Sequence, residues 1–312
     1  MISSIFGRTK PINYIILLVF LFFFYWFVHF FMFQKSYSPE QLLGQTVILG
    51  FLSFSIFVVN FIVLRNKITG GNSLAILFYT LLIVLFPEVL LDPNAILCSF
   101  FLLLAIRRIL SFRSLKNIKL KIFDATFWIL IASLFYDWAI LYLIVVIVAI
   151  YFYEPKNITN WLVPFTAIIV MVLIMLAVLA LGNNMDFLRD HYYFDFQFNA
   201  VYFYDWSNST ILFLYVSIVL LCGFLAFLKL GSVGVGKIVT MRLVVLFFFI
   251  GLLVKVLKSA PDTHPILITF FPAVVFITTY VQSIKKDSVR EIVLMASVIV
   301  PFIVFLTNAL MK

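Results

Sequence analysis

Apolar segments long enough to cross a lipid bilayer recur along the whole of this 312-residue chain. A run of about 18 or more apolar residues forms a helix that reaches through a hydrocarbon core about 30 Å thick. Backbone groups within lipid must satisfy their own hydrogen bonds, which favours helices over irregular structure. The sequence therefore predicts an all-α polytopic bundle that forms a single integral membrane domain over residues 1–312.

The composition excludes a water-soluble fold. The chain is 65% hydrophobic and 11% charged, with a mean hydropathy of +1.18, whereas soluble domains are roughly 45–50% apolar and about 25% charged. Its two cysteines, Cys98 and Cys222, lie inside apolar runs and are expected to be small buried side chains. They predict neither a disulfide nor a metal site, and no motif calls for a cofactor.

The apolar pattern fits eleven crossings, with the N-terminus in the cytoplasm and the C-terminus outside. The predicted spans are 12–33, 43–64, 74–91, 94–110, 123–136, 138–154, 160–182, 210–229, 241–258, 264–284 and 289–310. This arrangement places 17 of the 22 Lys and Arg residues on the cytoplasmic side and five outside. The asymmetry follows the positive-inside rule and predicts a multi-pass protein of the bacterial inner membrane.

One stretch, from Phe123 to Phe152, allows either one crossing or two. As a single α-helix its 30 residues would be about 45 Å long, which exceeds the hydrocarbon core. A single crossing would also change the distribution of Lys and Arg from 17 inside and five outside to 14 and eight. Two crossings with Tyr136, Asp137 and Trp138 at the outer turn are therefore predicted.

The net charge of +9 would favour a nucleic-acid partner in a soluble protein. Here the positive residues lie in short loops beside apolar runs, so anionic membrane lipid is the predicted partner and nucleic acid is not. The inner loop GSVGVGKIVT matches a phosphate-binding loop at Gly231, Gly236 and Lys237. Ile238 replaces the Ser or Thr that would hold magnesium, and an apolar helix precedes the loop, so a nucleotide site is rejected.

Residues 183–209 are the one long polar segment and are predicted to form an outer, periplasmic loop. Charged residues lie among aromatic ones in its run DFLRDHYYFDFQFNAVYFYDW, which begins at Asp186. Asp190 or His191 could act as a general acid or base, and aromatic rings such as Trp206 could pack on a sugar. The alternative is an interfacial segment with rings at headgroup level and charges in water. The sequence leaves both interpretations open.

Lys255 and Lys258 lie three residues apart near the outer end of their predicted crossing, and hence on one helix face. They oppose the positive-inside rule. One interpretation is a clamp for the phosphate of a lipid carrier, with Arg189 and His264 as partners. The other is a pair of lysines whose ammonium groups reach the interface.

Acids at predicted outer turns are further candidates, because charges at membrane depth are costly and often functional. Glu40 lies in the short first outer loop and is a candidate general base, and Asp137 is a candidate for substrate binding. Asp92 precedes Pro93 and is predicted to cap the following helix instead.

The layout resembles that of the GT-C superfamily, whose polytopic members transfer sugars from polyprenyl-phosphate carriers on the outer face. LDPNAILCSFFLLLAIRRIL and FWILIASLFYDWAILYLIVVIVAIYF are similar to the paired short middle helices of those enzymes. APDTHPILITFFPAVVFI places Asp262, His264 and Pro272 where they have an acid, a basic residue and a proline. The chain also resembles an uncharacterised family of bacterial inner-membrane proteins. It departs from GT-C enzymes in its first outer loop, which is short and has Glu40 as its only acid.

Three functions follow as hypotheses, and the sequence leaves open whether the protein is an enzyme. The resemblance implies transfer of a polyprenyl-phosphate-linked sugar, with Glu40, Asp190 or His191 as the catalytic group. Arg189, Lys255, Lys258, His264, Asp137 and Trp206 would then bind the substrate. The second hypothesis is a structural or assembly subunit that binds other envelope membrane proteins. The third, a lipid or small-anion transporter, is opposed by helix centres that are almost bare of polar residues.

Overall fold

The computed structural model describes residues 2–194, 206–228, 235–260 and 262–311, with the backbone alone at 206–208, 235, 310 and 311. Every regular element in these residues is helical. The α-helices are α1 Ile2–Phe6, α2 Pro11–Phe27, α3 Pro39–Arg65, α4 Leu74–Leu85, α5 Pro93–Leu110, α6 Ile118–Ser133, α7 Leu143–Tyr153, α8 Ile158–Leu181, α9 Asp186–His191, α10 Trp206–Leu228, α11 Val235–Leu257, α12 Phe270–Gln282 and α13 Asp287–Met311. A π-helical turn, Val28–Met32, extends α2, and 3₁₀ helices form at Pro87–Leu91, Ser111–Ser114, Asp137–Tyr142 and Pro265–Thr269.

The protein is a multi-pass membrane protein. Among the described residues, eight helical segments are long and apolar enough to cross a bilayer, and Leu74–Leu85 and Asp137–Tyr153 are shorter apolar segments. With α6 these correspond to the eleven predicted crossings, and the predicted all-α bundle is confirmed. Only 11% of the α8 crossing is buried in the protein, against 72% of the crossing that contains α5. Helix α5 therefore lies at the centre of the bundle and α8 at its periphery.

Prolines interrupt two of the predicted crossings. The crossing predicted at 74–91 is not one helix, because α4 ends at Leu85 and Phe86 has φ −123° and ψ 69°. A residue before proline is pushed out of the α region, so Pro87 starts a separate 3₁₀ helix. In the same way, the crossing predicted at 264–284 begins at Pro265 with a 3₁₀ turn, before α12.

The stretch between Phe123 and Phe152 forms two helical segments, α6 and 137–153, and not one helix. At the start of α6 the Lys121 ammonium donates a hydrogen bond to the Ser111 carbonyl oxygen at 2.8 Å. Asp137, after α6, lies at the opposite end, where it pairs with Lys258. Tyr153, at the end of α7, is again within electrostatic reach of Arg113. Helix α6 begins five residues before the predicted span, and Lys121 in its first turns bonds back to the preceding 3₁₀ helix.

The two ends of the bundle differ in charge. The arginine-rich end carries Arg65, Lys67, Arg107, Arg108, Arg113 and Lys121, which face a common cavity. The acidic end carries Glu88, Asp92, Asp137, Asp186 and Asp190. Under the positive-inside rule, the arginine-rich end is the cytoplasmic one.

Buried aromatic side chains pack beside the acidic end, on the side of the bundle interior. The rings of Tyr142 and Phe247 lie 4.3 Å apart, and Tyr215 packs against Phe86 at 5.3 Å. The Tyr215 hydroxyl also lies 2.7 Å from Thr269 Oγ1. Tyr142 and Thr269 belong to the 3₁₀ helices at 137–142 and 265–269, so these contacts fix both against α10 and α11.

Candidate functional site

Three of the 3₁₀ helices, 87–91, 137–142 and 265–269, meet at the acidic end. The segment at 265–269 contacts both 87–91 and α11, and α11 also contacts 137–142. Each segment begins with a proline or an aspartate. Non-helical backbone at this depth is tolerated where protein covers it or where it lines a polar cavity. The junction of these three segments is therefore where a site can form.

Asp92 holds the three segments together. Its Oδ1 accepts a hydrogen bond from the Ala95 amide at 3.0 Å, which confirms the predicted helix cap. Its Oδ2 accepts bonds from the Tyr136 hydroxyl and, at 2.7 Å, from the His264 amide. Asp92 is only 4% exposed. One buried carboxylate thus ties the start of α5 to the turn before 137 and the loop before 265.

The buried Lys255 and the half-buried His264 extend this polar network. Lys255 is 2% exposed and interacts electrostatically with Glu88 and Asp92. Burial lowers the pKa of His264, and Lys255 lowers it further, whereas Glu88, Asp92 and Asp262 act in the opposite direction. His264 is accordingly neutral at neutral pH.

Lys258, one turn beyond Lys255 on the same helix face, contacts a different acid. Its Nζ lies 3.3 Å from Asp137 Oδ1, with side-chain exposures of 21% for Lys258 and 2% for Asp137. A buried carboxylate needs a cation or hydrogen-bond donors to remain ionised. Asp137 therefore holds the Lys258 ammonium at the boundary between the buried network and the open space above it.

That space is a cavity of about 520 Å³. It is lined by Asp137, Asp186, Arg189, Asp190, His191, Tyr193, Phe194 and Lys258. Asp186 and Asp190 are four residues apart on α9 and hence on one side of that helix. The cavity thus combines two cations, three carboxylates and an imidazole with an aromatic wall.

Helix α9 is docked on the end of α6 by its last residues. His191 Nε2 lies 2.7 Å from the Ser133 carbonyl oxygen, which can only accept, so this nitrogen carries the proton. The Ser133 hydroxyl donates to the Leu130 carbonyl at 2.7 Å and accepts from the Tyr192 hydroxyl at 2.9 Å. Burial raises the pKa of Tyr192, so the phenol keeps its proton. These bonds place α9 over Asp137.

The structure separates the residues proposed from the sequence into three groups. Asp137, Arg189, Asp190, His191 and Lys258 line the cavity. Lys255 and His264 belong to the adjacent buried network. Glu40 is exposed in the first turn of α3 and does not line the cavity. The Trp206 side chain, like Asp195 and Asp205, lies outside the described residues.

Sequence reasoning missed the residues that connect the site. The sequence predicts only a helix cap for Asp92, only a place in the outer turn for Tyr136, and no role for Ser133. The available signal for Tyr136 is that a buried tyrosine hydroxyl normally finds a partner. Within the described ranges, no group of three or more His, Cys, Asp or Glu side chains is placed to hold a metal ion.

Comparison with known proteins found no matching family model, no matching curated protein and no matching solved structure.

Proposed function

We propose that this protein is a membrane transferase that moves a sugar from a polyprenyl-phosphate carrier to an acceptor hydroxyl. The reaction would take place at the acidic end, on the periplasmic face of a bacterial inner membrane. One observation carries the proposal. Phosphate-binding cations, Lys258 and Arg189, face a carboxylate and an imidazole, Asp190 and His191, across a single cavity.

The cations suit the carrier phosphate. As the bond between the sugar carbon and the phosphate oxygen breaks, negative charge develops on that oxygen. Arginine binds phosphate oxygens in a bidentate manner, and a fixed ammonium stabilises the same charge at the transition state. Asp137 would orient Lys258 for this role through their 3.3 Å contact.

The acceptor hydroxyl must lose a proton as its oxygen bonds to the sugar carbon. Asp190 is exposed at the rim of the cavity, where its carboxylate can take that proton. His191 offers a second base, because its Nε2 donates to Ser133 and leaves Nδ1 with the lone pair. Glu40 lies away from the cavity lining, so we assign the base to α9 and not to the first outer loop.

The size and wall of the cavity also agree with a sugar. A volume of about 520 Å³ is within the range of about 300–1,000 Å³ that small-molecule sites occupy. Tyr193 and Phe194 give the cavity apolar faces for sugar C–H groups. The layout resemblance to GT-C enzymes favours the same assignment.

Mass spectrometry of lipid-linked sugars and envelope glycans tests this proposal. We would compare a deletion strain with strains that carry wild type, Asp190→Asn, Lys258→Met or Glu40→Gln. A lipid-linked precursor should accumulate in the deletion, Asp190→Asn and Lys258→Met strains, with product at least tenfold lower, and not in the Glu40→Gln strain.

Asp287→Asn and Lys285→Met are matched controls. They make the same chemical changes at exposed positions on the arginine-rich end of the bundle, away from the candidate site. Membrane levels of every variant would be measured by immunoblot. Profiles identical in the deletion and wild-type strains would overturn the transferase and favour the assembly subunit. Accumulation in the Glu40→Gln strain alone would move the catalytic base to the first outer loop.

A further inference from the structure

The arginine-rich end encloses a second cavity, of about 800 Å³. Six cations line it, namely Arg65, Lys67, Arg107, Arg108, Arg113 and Lys121. They come from the end of α3, the end of α5 with the 3₁₀ helix that follows, and the start of α6. Three separate stretches of chain thus converge on one space.

The charge in this cavity is poorly balanced. In the part of the chain that the structure describes, Asp124 is the only acid that pairs with any of the six cations, through Arg108 Nε at 2.9 Å. Like charges around one space repel one another, most strongly between the half-buried Arg107, Arg108 and Lys121, whereas water screens the exposed Arg65, Lys67 and Arg113. A bound anion would relieve this repulsion.

Two of the six cations, Arg107 and Lys121, are held in place by uncharged groups that leave their charge available. The Arg107 guanidinium lies 5.9 Å from the centre of the Phe61 ring. The Lys121 ammonium donates to the Ser111 carbonyl at 2.8 Å and to the Ser114 hydroxyl at 2.5 Å. Donors fixed in advance lose little conformational entropy on binding, as expected of a binding site.

Arg113 packs against Gly236 in the first turn of α11. A Cβ atom at Gly236 would lie only 2.7 Å from Arg113 Nε, so the guanidinium packs directly on the glycine backbone. Any larger residue at 236 would push Arg113 away. Gly236, which matches a phosphate-binding loop in the sequence, therefore leaves the space that the Arg113 side chain occupies at the cavity wall.

The positive-inside rule accounts for the sign of the charge at this end but not for its convergence. Lys156, Lys285 and Lys286 satisfy the same rule and do not line the cavity. Arg65, Arg107 and Arg113 do line it, together with Thr240 of α11. The convergence calls for an explanation beyond topology.

We propose that this cavity binds a diphosphate group. Six cations and one acid exceed what a single phosphate would neutralise, and four arginines supply the planar forks that match phosphate oxygens. The diphosphate can belong to a lipid headgroup or to a soluble molecule. This site lies at the opposite end of the bundle from the proposed transferase cavity. The proposal for diphosphate binding is therefore tested independently of the proposed transferase activity.

The test uses the purified full-length protein. Isothermal titration calorimetry in detergent would measure binding of inorganic pyrophosphate, with inorganic phosphate and sulfate as comparison anions. In parallel, the thermal midpoint would be measured in phosphatidylcholine nanodiscs with and without farnesyl diphosphate. Binding of pyrophosphate tighter than that of phosphate supports a soluble source. A raised midpoint with farnesyl diphosphate and no pyrophosphate binding supports a lipid source.

The variant Arg107→Gln with Arg113→Gln should weaken binding at least tenfold. Its matched control, Lys285→Gln with Lys286→Gln, removes the same charge from the same end outside the cavity and should change affinity less than twofold. Gly236→Ala, which alters no charge, should weaken binding by displacing Arg113, and it serves if the double arginine variant fails to fold. Equal losses in the arginine variant and the lysine control would overturn the proposal, as would no response to either diphosphate.

Discussion

At the scale of single residues, Asp92 is the side chain on which the acidic end most depends. Its two oxygens accept hydrogen bonds from the Ala95 amide, the Tyr136 hydroxyl and the His264 amide. A buried donor that loses its acceptor lowers the free energy of unfolding by about 1–3 kcal/mol, because the donor gave up its hydrogen bonds to water on folding. The loss of one carboxylate therefore affects three segments together.

Asp92→Asn should lower the stability of the protein by about 1–3 kcal/mol. With the Asn oxygen at the Oδ1 position, its NH₂ group replaces Oδ2 and cannot accept the hydrogen bonds from the Tyr136 hydroxyl and the His264 amide. Thermal unfolding of the purified variant in detergent, followed by circular dichroism, measures this loss. Asp287→Asn is the control, because that side chain is 85% exposed and its replacement should change stability by less than about 0.5 kcal/mol. Equal midpoints for the two variants would contradict the role of Asp92.

At the scale of elements, α11 and two 3₁₀ helices meet at a glycine. A Cβ atom at Gly251 would lie 2.8 Å from both Thr269 Cγ2 and the Tyr142 hydroxyl oxygen. These atoms belong to segments whose aromatic packing against α10 and α11 is already fixed. Gly251 is thus a point of close approach between α11 and the 3₁₀ helices at 137–142 and 265–269.

Gly251→Ala should destabilise the protein by about 1–3 kcal/mol, because overpacking forces buried elements apart. Gly50→Ala is the matched control on α3, where an added Cβ meets nothing within 4 Å. That substitution should be neutral or stabilise the helix by up to about 1 kcal/mol. The thermal midpoint of Gly251→Ala should therefore fall, whereas that of Gly50→Ala should stay the same or rise. A Gly251→Ala midpoint at or above that of Gly50→Ala would rule out the close approach.

Elements were predictable where their cause is local. Helices α3 and α8 follow from long apolar runs, and the Asp92 cap follows from the adjacent Pro93. The bonds from Tyr136 and His264 to Asp92 were not predictable, because they join residues 44 and 172 positions apart. For the same reason the sequence grouped Lys255 with Lys258, whereas tertiary packing buries one and leaves the other at a cavity.

At the scale of the whole molecule, the two ends carry cavities of different charge. Six cations converge at one end, and three carboxylates, two cations and an imidazole converge at the other. The bundle between the two ends is mainly apolar. Reversing its orientation in the membrane would carry the charged side chains of both ends through the hydrocarbon core. A fixed orientation in the membrane follows.

Cysteine labelling in spheroplasts tests that orientation. In a background with Cys98→Ala and Cys222→Ala, which removes two buried thiols, Asp190→Cys should react with a membrane-impermeant maleimide added outside. Arg113→Cys should react only after the membrane is permeabilised. Labelling of Arg113→Cys in intact spheroplasts would mean that the bundle is inserted the other way.

The 3₁₀ starts of two crossings also affect how far these crossings reach. A 3₁₀ helix rises about 2.0 Å per residue, whereas an α-helix rises about 1.5 Å. The Asp137–Tyr153 crossing has six 3₁₀ and 11 α-helical residues, so it extends about 28 Å where an all-α segment would extend about 26 Å. Pro265–Gln282 gains a similar increment and approaches the full thickness of a bilayer core. The added length carries Asp137 and His264 toward the acidic end, where the buried Asp137 carboxylate meets the Lys258 ammonium at the edge of the open cavity.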